Sequence, residues 1–307
     1  MTLDECETHF AAIRASLQEG ELRQHFQALL DIYPVVSFEL GRGSVFWRGR
    51  KAGAAPFNNV SQMSYPPTEC TPTGRLNDSG RPCLYGATRR STVLAELNAQ
   101  AGEYYQFVGF RVKPGSALRI GAIGELYHVY KTGYIKTLGA DPENALSRLL
   151  NSEGIEGGKR LIYIDAFLAS ILADPDAHQN DYLSTRVLAK LAYEKSGASG
   201  LFYPSVQDHN GMNVAILPQS YESQAHPVCC QYVKISKVRE FGIVDYDIVL
   251  EGRNVGDDGT IMWQPSEAQN ITIFFGLTEH EHNFLKGRPQ NDGNALIELA
   301  KLSRSDS

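Results

Sequence analysis

The sequence predicts an α+β fold, a mixed domain around a mostly antiparallel sheet flanked by helices. Three observations predict it. Helical periodicity gathers in two blocks, residues 4–30 and 124–196. Strand-like runs lie between and after them, and the last ninety or so residues are β-rich. Gly200–Ser205 and Met212–Leu217 flank the polar turn QDHNG, which reads as strand, turn, strand. The expected organisation is an N-terminal helical segment (1–44), a central domain (45–219) and a β-rich C-terminal extension packed on it (220–307).

Residues 4–30 read as one helix or two, with Leu17, Leu22, Phe26 and Leu29 at helical spacing and Gly20 as the break. VFWRGR (45–50) is a strand, and Arg48 and Arg50 share one face of it. Residues 51–74 are rich in Pro, Gly, Asn, Ser and Thr and form a long loop. GRLNDSG opens a turn, an apolar run ends at Tyr85, and a helix follows with Ser91 or Thr92 as N-cap and Glu96 deeper inside. Tyr104–Val112 and Leu118–Ile123 are strands. Helices are expected at Asp141–Leu150, Ile162–Leu172 and Tyr182–Ser196, the last stopped by Gly197. Strands at Val233–Val238, Ile243–Leu250 and Ile271–Phe275 precede a final helix, Ala295–Leu302.

With 307 residues, 42% hydrophobic, 21% charged and net charge −6, the composition is that of a soluble globular protein. The acidic balance argues against nucleic acid as partner, since nucleic-acid binders carry a basic face. No stretch approaches the roughly 20 apolar residues of a membrane span, and the acidic, polar start MTLDECETHF is no signal peptide. Five cysteines without a CxxC spacing suit free thiols in the cytoplasm. Phosphate-cradling glycine loops and the GxSxG elbow are absent. His280 and His282 flank Glu281 without the HExxH spacing, so no metal site is expected. Cys229 and Cys230 read as a buried strand pair.

One order of residues stands out. Arg48 ends FWR, Arg75 lies in GRLNDSG, Tyr85 in LYGA, Glu96 in VLAE, Ser205 in GLFYPS and Asn213 in GMNVAI. Taken singly, these are a surface arginine, a core tyrosine, a solvated helical glutamate and an asparagine that caps a turn as readily as it touches ligand. Trp47 and Tyr203 read as core, and Arg50 as a surface or loop-anchoring residue. Taken in order, over roughly residues 45–217, they resemble the RES domain family, named for its arginine, glutamate and serine.

That resemblance implies an ADP-ribosyltransferase-like split antiparallel sheet. It also implies a bacterial toxin that degrades NAD+ by hydrolysis or phosphorolysis, with an antitoxin or immunity protein as partner. NAD+ is then substrate rather than cofactor, with inorganic phosphate as a co-substrate in the second case. The chain departs from the family's small toxins in its long 51–74 loop, its wide Glu96–Ser205 spacing and its two extensions. Oligomeric state is left open, with room for a homodimer.

The chemistry suits the residues. The N-glycosidic bond of NAD+ joins ribose to a cationic pyridinium, so nicotinamide leaves neutral and needs no proton. A glycosidase that expels oxygen needs two carboxylates, whereas here one suffices. Glu96 would stabilise the oxocarbenium-like transition state. Tyr85 would wall the nicotinamide or ribose. Arg48 and Arg75 would hold the pyrophosphate or an attacking phosphate. Ser205 would orient ribose or phosphate, with no adjacent base to make it a nucleophile. Two alternatives remain: an ADP-ribosyltransferase acting on protein or nucleic acid, and a non-catalytic NAD-binding sensor or immunity module. Many arginine-modifying transferases carry a second acidic or amide residue two positions before the glutamate. Leu94 stands there in this chain.

Overall fold

In the computed structural model, residues 1–138, 141–208 and 211–274 are described. The expected helix at 295–302 and the 280–282 histidines lie outside them. The chain opens with two helices, α1 (Leu3–Ala15) and α2 (Glu19–Leu30). Thr2 and Glu5 form a reciprocal capping box at the start of α1. The break falls at residues 16–18 and not at Gly20, which has open space around it in the first turn of α2. Leu22, Phe26, Leu29 and Leu30 are buried, while Leu17 is exposed in the break.

The sheet contains β1 (Val36–Leu40), β2 (Val45–Ala52), β3 (Leu84–Ala87), β4 (Tyr104–Val112) and β5 (Leu118–Ala122). It continues with β6 (Gly200–Pro204), β7 (Met212–Ile216), β8 (Ala225–Val238), β9 (Ile243–Val255), β10 (Ile261–Pro265) and β11 (Ile271–Phe274). The helices after α2 are α3 (Arg90–Glu96), α4 (Glu125–Thr132), α5 (Ala145–Ser152), α6 (Gly154–Leu172), α7 (Leu183–Ser196) and α8 (Pro218–Gln224). The strand order is β1-β5-β6-β7-β3-β2-β4-β8-β9-β10, with β11 also on β9. Every pairing is antiparallel except β5 with β6. The expectation of a mixed fold on a mostly antiparallel sheet is met.

The sheet is nearly divided in two. β3 and β2 meet at a single pair, Trp47 with Ala87. Their outer partners run full ladders, β3 with β7 over four positions and β2 with β4 over eight. Past that pair the two strands part, and four of the expected site residues, Arg48, Tyr85, Glu96 and Asn213, gather at the gap between them. Gly86 sits at the contact because a Cβ there would stand 2.8 Å from the Trp47 carbonyl oxygen.

Three apolar clusters hold the layers. One packs α1, α2, α4, α5, α6 and α7 against the outward face of the β1-side strands, with Phe26, Leu126, Leu168 and Leu188 buried in it. A second runs along the opposite sheet face across the gap, through Phe46, Val108, Phe110, Val214 and Phe202. The third seats α3 on β4, β8 and β9 through Val93, Leu94, Phe107 and Tyr246. Residues 1–44 hold a strand as well as helices, since β1 pairs with β5. The segment from 220 onward enters the sheet through β8, which pairs with β4 from Tyr104 to Val112.

Candidate functional site

Glu96 is the last residue of α3, not a residue deeper within it. The helix begins at Arg90, so Ser91 and Thr92 lie inside its first turn and are buried rather than capping it. The Thr92 hydroxyl instead reaches across the chain, Oγ1 donating to Asp208 Oδ2 at 2.7 Å. The helix lies close on β2 at Gly49, where a Cβ would stand 2.4 Å from Val93 Cγ1. This close approach sets the carboxylate at the edge of the gap.

One carboxylate oxygen is fully engaged. Glu96 Oε1 accepts from Ser205 Oγ at 2.5 Å and from Asn213 Nδ2 at 2.6 Å. Ser205 follows β6 and accepts in turn from the amides of Gln207 (3.2 Å) and Asp208 (2.9 Å). Its proton is thus committed to Glu96 and its lone pairs to a turn, which makes it a positioning group. Asn213, on β7 between β3 and β6, is as buried as Ser205. The second oxygen of Glu96 has no hydrogen-bond partner among the described residues, and the side chain is open to solvent.

Arg48 bridges the gap. Its Nη1 donates to the Tyr85 carbonyl oxygen at 2.7 Å, taking the place of a β2–β3 ladder bond. Nε is buried without a partner, and no carboxylate pairs with the guanidinium among the described residues. Burial, with the Arg50 charge beside it, pulls its pKa down to about 10, so it remains a cation at neutral pH. A largely desolvated cation with no carboxylate partner is a ready anion site.

A cavity of about 610 Å³ opens at the gap, lined by Arg48, Tyr85, Glu96, Tyr203 and Asn213 with the α3 side chains Val93 and Leu97. Its size suits a small ligand. Tyr85 lines it too, and its hydroxyl accepts from the Leu76 amide (2.7 Å) and donates to Asn77 Oδ1 (2.8 Å), clasping the GRLN turn. Tyr203, expected as core, is buried and also lines this cavity. Burial is the main reason its phenol is raised, with Glu96 next.

Arg75 is not brought to the cavity. Its Nη1 donates to the carbonyls of Leu172 (2.9 Å) and Asp174 (2.8 Å), and its guanidinium lies over the Tyr182 ring. It satisfies the C-terminus of α6. Arg50 anchors the long loop, donating to the Gln62 carbonyl and lying over Phe57. Trp47 is half-buried under the Arg90 guanidinium. Cys229 and Cys230 sit in β8, and burial pushes the Cys230 thiol up to about 12. Among the described residues, no group of three or more His, Cys, Asp or Glu could hold a metal ion. Nor is any helix there long and apolar enough to cross a membrane.

Sequence reading missed the dual role of Tyr203, the Thr92–Asp208 bond and the two spacing glycines. The glycine between two arginines in RGR was a usable signal for Gly49. Thr92 and Asp208 carried none, being 116 positions apart.

The RES domain family model matches residues 45–233, more than half of the chain. The chain belongs to the RES domain family. A comparison with curated proteins finds no match. Among solved structures, the chain is similar to the crystal structure of the M. tuberculosis MbcT–MbcA toxin–antitoxin complex. Identity is 13% and the TM-score 0.31, over 69% of this chain and 93% of that one.

Proposed function

We propose that the chain is an NAD+-consuming enzyme that cleaves the bond between nicotinamide and ribose. The observation that carries this reading is the half-engaged carboxylate. Ser205 and Asn213 hold one oxygen of Glu96, and the other is unclaimed in a cavity that a half-buried arginine with no carboxylate partner among the described residues, Arg48, also lines. The free oxygen accepts from a ribose hydroxyl and faces the positive charge that grows at C1′ as nicotinamide departs. Arg48, a cation of the cavity lining, takes the pyrophosphate. Tyr85 and Tyr203 flank the sugar or the leaving ring. In hydrolysis, water adds to C1′ and releases ADP-ribose, nicotinamide and a proton. In phosphorolysis, phosphate adds and ADP-ribose 1″-phosphate leaves. The leaving group is already a cation, so no step requires a Lewis acid.

The same proposal takes 45–219 as the catalytic domain and the sheet as an ADP-ribosyltransferase-like split sheet. Support for the latter is the single pair that joins its two halves. Family membership supports a toxin setting with an antitoxin or immunity protein as partner. Transfer to a macromolecule is the weaker reading, because Leu94, at the position where arginine-modifying transferases place a polar residue, is fully buried in the core. Incubation of the protein with NAD+, with and without phosphate, and mass analysis of the products tests the reading. Nicotinamide with ADP-ribose or its 1″-phosphate is expected. Intact NAD+ under both conditions would refute it.

A further inference from the structure

A second cavity, of about 1,020 Å³, lies on the other side of Arg48 and Arg50, which line both. Its walls come from the 51–74 loop, α8 and the β9–β10 hairpin. The hairpin lies beyond residue 233, where the family match ends. Loop and hairpin are stitched together. Asn59 pairs with Thr260, its Nδ2 donates to the Asp258 carbonyl at 2.9 Å, and the Val60 amide donates to Gly259 O at 2.9 Å. Gly259 has φ +81°, a conformation a side chain would strain, and a Cβ there would stand 2.9 Å from the Asn59 side chain.

The lining is aromatic, prolyl and acidic. Tyr65 and Tyr221 stand edge to face, with ring centroids 6.0 Å apart, and Pro66 and Pro67 extend the apolar wall. Aromatic and prolyl surface suits the flat face of a base. Asp257, and Glu222 through the oxygen not already accepting from the Tyr65 hydroxyl, can accept from sugar hydroxyls and repel a phosphate placed among them. The Asp257 side chain has no hydrogen bond or ion pair among the described residues. Among the described residues lining this cavity, the cations are Arg48 and Arg50, which both cavities share, and that is where a pyrophosphate would lie.

We infer that this second cavity binds the adenosine half of the dinucleotide, with its pyrophosphate at Arg48, and that its carboxylates exclude a 2′-phosphate, so that NAD+ is accepted over NADP+. This rests on the proposed NAD+ reaction for its substrate, but its test is a binding experiment that needs no turnover.

The test is calorimetric titration of the full chain with ADP-ribose, ADP-ribose 2′-phosphate and ribose 5-phosphate. ADP-ribose is expected to bind at least tenfold more tightly than its 2′-phosphate. Tyr65→Ala should weaken ADP-ribose at least tenfold and leave ribose 5-phosphate within twofold. Asp257→Lys, at an exposed loop position that does not threaten folding, should narrow the gap between the two ADP-ribose ligands at least fivefold. If the wild type binds both equally and D257K changes nothing, the assignment is overturned. It is equally overturned if Y65A weakens ADP-ribose and ribose 5-phosphate alike. Tyr65-dependent ADP-ribose binding by a protein that leaves NAD+ intact would uphold the site and refute the reaction.

Discussion

Asp165 and Glu96 are both held by hydrogen bonds from distant parts of the chain, and they differ in what they have left to give. Asp165, on α6, is completely buried. It accepts from Tyr33 Oη (2.5 Å) and from the amides of Gly124 (2.7 Å) and Tyr127 (2.8 Å), using both oxygens. It is the cap that α4 lacks locally, since Gly124 has no side chain to offer. Glu96 is also held, but through one oxygen, at the mouth of a cavity. The two arginines differ in the same way: Arg75 is spent on helix-end carbonyls, and Arg48 keeps a buried donor unpaired. A polar group with all its capacity used is holding the fold. One with capacity withheld inside a cavity is built for something that arrives.

The comparison is broken most forcefully at Asp165. Asp165→Ala strands three buried donors and should cost about 3–5 kcal/mol of stability. Urea unfolding would read this as a lower midpoint with unchanged slope. A loss under 1 kcal/mol would mean that Asp165 is not the cap of α4.

Glu125 sharpens the point by pH. It is buried at the start of α4, accepting from the amides of Lys136 (2.8 Å) and Thr137 (3.2 Å). Burial outweighs those bonds and raises its pKa from 4.5 to about 7. Between these values the folded state keeps a proton that the unfolded chain has lost. Its contribution is therefore present at pH 4.5 and withdrawn as pH rises through 7. That loss is roughly 3 kcal/mol. Glu125→Gln should remove it, so the stability difference between variant and wild type should shift in the variant's favour from pH 5 to pH 8. A pH-independent difference would contradict the raised carboxyl.

A smaller effect separates the arginines. Arg48→Ala should raise the apparent KM for NAD+ about tenfold or more and, because it also removes the bond to the Tyr85 carbonyl, lower stability by about 1 kcal/mol. Arg75→Ala should lower stability by about 1–2 kcal/mol with KM unmoved. An R75A protein of wild-type stability with a raised KM would return Arg75 to the site.

Much of this was legible in the chain. The order Arg48, Arg75, Tyr85, Glu96, Ser205, Asn213 named four residues of the cavity lining and the two that hold Glu96, because each lies in a short motif with a local signature. The strands at 45–52, 104–112, 200–204 and 212–216 carried clear alternation or apolar runs. What stayed hidden depends on distant partners. Arg75 looks like a phosphate ligand until Leu172, 97 positions away, is placed beside it. α6 begins at Gly154 and not near Ile162, because GIEGGK reads as a breaker. Packing overrides propensity there: Gly158 lets α6 pass α5, where a Cβ would stand 2.9 Å from the Leu150 carbonyl oxygen. β1 and β10 are short edge strands, and α8 is a single Pro-initiated segment, so none showed a period.

The central claim is that the unclaimed oxygen of Glu96 stabilises positive charge at C1′ of NAD+. Its most direct test is steady-state cleavage of NAD+ by wild type and Glu96→Gln, both shown folded by circular dichroism. Glutamine keeps the size and most of the hydrogen bonding and removes the charge. The account predicts that kcat falls on the order of a hundredfold or more, while KM changes less than about threefold because Arg48 holds the phosphates. An E96Q protein that turns over NAD+ at the wild-type rate would contradict it.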